Sequence, residues 1–233
     1  MPNEREEEGL VEDLIDKIRK GEITEGEAHQ EIYHRGLNHE KYSSQVTAAA
    51  ITLGYVLPFL PITVALLDAL GNVPSLASFA ERLAFLRLIL QLPRLSFPQT
   101  VIYLAIIVFV ISLVAMAHAA HLRAKKGGCG WKGESETIML VTEGAYSVVR
   151  HPAHLCSGLI LLSATIGLSN WIPFSPLSVI GNILVFMGFH YSSTEEEELN
   201  LMKWGSKYRR YMNEVPRFNF LLGMWRRSKR EQE

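Results

Sequence analysis

Residues 152–194, PAHLCSGLILLSATIGLSNWIPFSPLSVIGNILVFMGFHYSST, run for 43 positions without one Asp, Glu, Lys or Arg. At about 1.5 Å per residue this is about 60 Å of helix, twice a ~30 Å hydrocarbon core. Ser169, Asn170, Pro173, Ser175 and Pro176 in its middle are turn residues, and Trp171 beside them is the kind of aromatic that sits at a membrane interface. The stretch is therefore expected to cross a bilayer, reverse and return. A hairpin brings both ends to one membrane face, so Arg150, His151 and Pro152 in front are expected to meet Glu195, Glu196, Glu197 and Glu198 behind.

Working outward, charge is concentrated in residues 1–45, 123–150 and 195–233, and the stretches between are more apolar than a globular core helix requires. Mean hydropathy is only +0.11 because the two kinds of segment average out. The fold class expected is all-α, a polytopic membrane bundle of four to five transmembrane helices with a C-terminal cytosolic helical cap and a short N-terminal helical hairpin. Net charge is −1, which favours neither nucleic acid nor a strongly acidic partner. Cys129 and Cys156 are too few for a disulfide framework and are read as small reduced residues. The acidic start, with Glu4, Glu6, Glu7 and Glu8, has no cationic region followed by an apolar one, so no cleaved signal peptide is expected.

Three divisions follow. Residues 1–45 are expected to form a cytosolic helical hairpin: Leu10, Leu14, Ile15 and Ile18 fall at helical spacing, Gly21 is a stop, and Thr24 with Glu27 fits a capping box that opens a second helix. The segment Gly21–Glu27 is also faintly similar to the short helical appendages called SHOCT motifs. Residues 46–98 hold a first span, Val46–Leu67, kinked at Pro58 and Pro61, and then an interfacial or re-entrant segment, Leu76–Leu92, whose Glu81, Arg82 and Arg87 are costly at a bilayer centre. Residues 99–233 form the core, led by a span over Leu95–Leu122. Basic residues around Arg123–Arg150 and from Lys203 to Arg230 put both regions in the cytoplasm by the positive-inside rule.

Pro152 suits the first position of a helix, whose N-terminus attracts anions, and Arg150 and His151 add donors there. His154 lies one turn on. After the hairpin, Glu197, Leu201, Trp204, Tyr208 and Tyr211 recur at spacings of four, three, four and three, one face of a helix provided that Gly205 does not break it.

The run Leu140–Pro152, the apolar hairpin, the paired glutamates, Gly205 with Tyr208 and Tyr211, and Val215-Pro216-Arg217-Phe218 together resemble the isoprenylcysteine carboxyl methyltransferase family and related phospholipid N-methyltransferases over residues 100–220. The resemblance implies an integral membrane methyltransferase with S-adenosylmethionine as methyl donor in a cytosol-facing pocket. It implies a lipophilic acceptor, an isoprenylcysteine-type carboxylate or a lipid headgroup, entering from the bilayer, with membrane lipids as the other partners. The residues carried over for the cofactor are Val141, Tyr146, Arg150, His151, His154, Glu196, Glu197, Tyr208, Tyr211 and Arg217, and no metal is assigned. Its carboxylate is expected near Arg150 and His151, its ammonium near Glu196 or Glu197, and its adenine against Tyr208, Tyr211 or the backbone near Val141. Three positions depart from the pattern: His154 where Tyr is usual, Cys156 near the expected small residue, and Asn200 where Leu is common. No catalytic base is assigned, with His154 and Glu197 as candidates. The competing readings are a non-catalytic membrane or sterol-binding relative, and a metal oxidoreductase on His118, His121, His151 and His154.

Overall fold

The computed structural model describes residues 10–37, 44–70, 84–128 and 137–232. Among these residues the chain is helical throughout apart from turns and one isolated bridge, Leu95 to Phe174. Two helices, Gln45–Leu67 and Gln99–Lys126, are long and apolar enough to cross a membrane. The chain divides into two compact units, one of Met1–Ser44, Leu113–Cys156 and His190–Glu233, the other of Gln45–Ser112 and Ser157–Phe189. Residues 71–83, which include the first eight residues of the expected re-entrant segment with Glu81 and Arg82, lie outside the described residues, as does Cys129; Ala84–Gln91 is a 3-10 helix.

In the first unit, α1 (Glu12–Lys20) ends at Gly21, and α2 (Glu25–His34) opens on the full Thr24–Glu27 capping box. Arg35 grips both oxygens of Asp13 at 2.9 and 2.8 Å and the Leu10 carbonyl at 2.6 Å, which closes the pair of helices into a hairpin. The hairpin has no core of its own. Val11, Leu14, Ile15, Ala28 and Ile32 join one buried cluster with Ile138, Leu199, Trp204, Tyr208, Tyr211 and Val215. The other helices reaching this unit are the end of α5 (Gln99–Lys126), the start of α6 (Pro152–Gly167), α7 (Pro176–Glu214) from His190 onward, and α8 (Phe220–Arg230).

Gly205 breaks α7. Its φ of 50° and ψ of −125° are open only to glycine, so the face expected to run on from Glu197 to Tyr211 is two helical pieces set at a kink. A break frees carbonyls on its N-terminal side. Those of Met202 and Lys203 accept from the Leu10 and Val11 amides at 3.0 and 3.2 Å, so the N-terminal segment caps the interrupted helix.

In the second unit, α3 (Gln45–Val56) passes through a 3-10 turn at Leu57–Phe59, where Pro58 falls, into α4 (Leu60–Leu70). Gly54 meets Gly181 of α7 backbone to backbone: a Cβ on Gly181 would lie 2.6 Å from the Gly54 carbonyl oxygen, and one on Gly54 would lie 2.8 Å from that of Gly181. Small residues at such crossings let apolar helices approach closely, which is how they gain dispersion energy where no water is displaced. Between Gly167 and Pro176 the chain leaves one helix and starts the next, so the turn falls where Ser169, Asn170 and Pro173 place it. Buried Asn182 donates to Thr165 at 3.2 Å and to the Ser178 carbonyl at 2.8 Å, tying α6 to α7 inside this unit.

Candidate functional site

Two short segments bring the chemistry together in the first unit. Residues 150 and 151 run alongside residues 216 and 217, with the Arg150 amide donating to the Pro216 carbonyl at 3.0 Å and that of His151 to the Arg217 carbonyl at 3.4 Å. On α7, Glu196 and Glu197 face them.

Glu197 is the ionic hub. Arg150 donates from Nε to its Oε1 at 2.9 Å, Arg217 chelates both of its oxygens, and the Nε2 of His151 stands 3.3 Å from Oε1. Burial alone would push this carboxyl up, but the hydrogen bonds from His151 and Arg217 and the charge of Arg150 outweigh it and hold it down at about 2. A group so pinned and so acidic takes no proton at neutral pH, which removes Glu197 from the candidates for a base. Arg150 is committed as well. Its Nη1 donates to the Met212 and Val215 carbonyls, both at 2.6 Å, so it ties the chain after α7 to the hub and does not project as an anion receptor.

Glu196, 7% exposed, turns the other way. Its Oε2 lies 3.1 Å from Nδ1 of His151 and its Oε1 3.6 Å from Nε2 of His154. The two imidazoles stack with their planes 4° apart, and Nδ1 of His154 pairs with the Ser193 hydroxyl at 2.9 Å.

Beside this cluster lies a pocket whose non-atom space, about 470 Å³, includes open solvent at its mouth. Seven of the ten residues carried over from the sequence line it: Val141, Tyr146, Arg150, His151, Glu196, Tyr208 and Tyr211. The other three, His154, Glu197 and Arg217, do not; they surround Glu196 and Arg150 from behind. Five further lining residues are Arg123, Thr137, Leu140, Asn200 and Trp204. Asn200 follows Glu196 by four on α7, a spacing that identifies it as a neighbour on the same face. Arg123 reads in the sequence as one more basic residue flanking a span, and nothing in its context marks it as a cavity wall.

The aromatic side of the cavity is fixed by its second partners. Trp204 Nε1 donates to the Ile138 carbonyl at 3.0 Å, Tyr211 donates to that of Tyr146 at 2.6 Å, and fully buried Lys203 donates to that of Thr137 at 3.2 Å. Three side chains beyond Ser193 thus hold the segment 137–146 in place as the opposite wall. Burial raises the Tyr208 hydroxyl well above its ordinary value, so it stays protonated. No family model, no curated protein and no solved structure matches the chain.

Proposed function

We propose that the chain is an integral membrane, S-adenosylmethionine-dependent methyltransferase that acts on a lipophilic acceptor at the cytosolic membrane face. The observation that carries the reading is convergence: segments 141–151, 196–200 and 204–211 line one pocket. Its chemistry also suits the donor. Glu196 offers an anion to an ammonium, Arg123 a guanidinium to a carboxylate, and Trp204, Tyr208 and Tyr211 a flat apolar wall to a purine.

When bound, the cofactor supplies a methyl group on a sulfonium, ready for in-line displacement. The chain's part is alignment and exclusion of water. The Lys203, Trp204 and Tyr211 hydrogen bonds keep the walls rigid, and the Glu197 hub fixes His151. A carboxylate acceptor requires no base. An ammonium acceptor would lose its proton to Glu196, which lines the pocket, or through it to His154 3.6 Å behind, the groups left once Glu197 is locked.

The membrane topology of this reading has four crossings: Gln45–Leu67, Gln99–Lys126 and the hairpin of α6 and α7. The two longer apolar helices support it, as do the exposed Leu104, Ile111 and Val114 of α5, at 61, 62 and 65%, an apolar surface suited to lipid. The α6 helix has 16 residues, short of the ~20 of a full span.

The test is calorimetric titration of the detergent-purified protein with S-adenosylmethionine, followed by incubation of membranes with the methyl-labelled compound. Binding that weakens in Glu196→Gln and Trp204→Ala, together with label in a lipid fraction, is the expected result. A folded protein that takes up no cofactor ends the proposal.

A further inference from the structure

The sequence assigns no metal, yet the geometry points to a divalent-cation site of zinc type formed by His151 Nδ1, His154 Nε2 and the Glu196 carboxylate. These three groups all offer ligand atoms within 4.8 Å of one another. Tetrahedral zinc with bonds of ~2.0–2.2 Å separates its ligand atoms by roughly 3.3–3.5 Å. Glu196 presents one oxygen to each imidazole, Oε2 at 3.1 Å from His151 Nδ1 and Oε1 at 3.6 Å from His154 Nε2, both within a few tenths of an ångström of that spacing.

The outer partners point the same way. Metal-bound histidines have their far nitrogen fixed by a carboxylate, carbonyl or hydroxyl, which sets the tautomer. Here the far nitrogen of His151 meets Glu197 Oε1 at 3.3 Å, and that of His154 meets the Ser193 hydroxyl at 2.9 Å. Glu197 is already neutralised by Arg150 and Arg217, so it serves as a fixed acceptor for His151. Two of the three ligands, His151 and Glu196, line the pocket, so an exogenous fourth ligand would reach the ion from there, as at a reactive or regulatory zinc rather than a closed structural one.

One consequence rests on the methyl-donor reading: because Glu196 and His151 also line the cavity, metal and cofactor compete for the same anionic pole.

The experiment is titration of the chelator-treated, detergent-purified protein with zinc chloride by calorimetry, with cobalt chloride as a spectroscopic probe of tetrahedral nitrogen and oxygen ligands. One equivalent is expected. His154→Phe and Glu196→Gln should each weaken zinc more than about tenfold, and Ser193→Ala about 10–100-fold through the lost support. His118→Ala is the control that leaves zinc unchanged, and the thermal midpoint of every variant confirms folding. Zinc uptake that is absent, or that is equal in the wild type and in folded His154→Phe, overturns the site. S-adenosylmethionine is titrated into the same samples. Zinc binding without cofactor binding upholds the metal site and defeats the methyl-donor reading, and the reverse result does the opposite.

Discussion

The two units solve burial in opposite ways. The second, Gln45–Ser112 with Ser157–Phe189, packs helices through glycines, bonds its buried Ser163 and Thr165 hydroxyls to carbonyls of their own helix, and ties the Asn182 amide nitrogen to Thr165. The first buries ionised groups, Glu197 and Glu196 with Arg150 beside them. Taking an ion out of water costs several kcal/mol even after relaxation, and a pair returns this only with good geometry and further hydrogen bonds. Among the described residues the buried ionised groups gather in the first unit, and the chemistry lies there with them. The difference thus separates a scaffold built on shape from a site built on charge.

That contrast is easiest to break at the hub. Glu197→Gln leaves Arg150, 9% exposed at the side chain, without its counter-ion and should destabilise the protein by about 3–5 kcal/mol, read as a fall in thermal midpoint or in denaturant tolerance. A loss below about 1 kcal/mol would mean that the ionic core is ornamental.

The acid side of the stability profile sharpens the same point. The Glu197 carboxyl is held at about 2 when folded against an ordinary value of 4.5, so its contribution is complete above 4.5 and is lost as pH falls from there toward 2. The wild type should therefore lose stability on acidification through that window, and Glu197→Gln, already weakened, should lose less.

In the other unit the expected damage is steric. Gly181→Leu places a side chain where even a Cβ meets the Gly54 carbonyl, and overpacking of this kind costs about 1–3 kcal/mol. It should leave zinc and cofactor titrations of the surviving folded protein unchanged; an equal loss of binding would join the two units functionally. The smallest effect is expected at the surface hairpin, where Thr24→Ala removes the 3.3 Å cap to the Glu27 amide and should cost about 1 kcal/mol.

Much of this organisation is legible in the sequence. Gly21, Thr24 and Glu27 mark their helix ends because caps are local, and the break between Gly167 and Pro176 follows from turn residues for the same reason. The meeting of His151 with Glu196 follows from the charge-free run between them. What local rules do not reach is how many donors a neighbour has left. Arg150 and Glu197 both read as ligands, and both are consumed by carbonyls and guanidiniums from residues 212–217. Arg123 and Asn200 are ordinary in sequence and gain their places only when the wall 137–146 is set opposite. The continuity of the Glu197–Tyr211 face failed at Gly205 because a single positive φ outweighs a repeating apolar pattern.

The amides of Leu10 and Val11 answer carbonyls almost two hundred positions later, at the very point where α7 is interrupted. Leu10 and Val11 must therefore wait, unseated, until Met202 and Lys203 have emerged, and loop closure over that length is slow. Truncated or stalled products would lack the closing partner and expose Val11, Leu14, Ile15 and Ile32, an adhesive surface of the kind that chaperones hold and proteases remove.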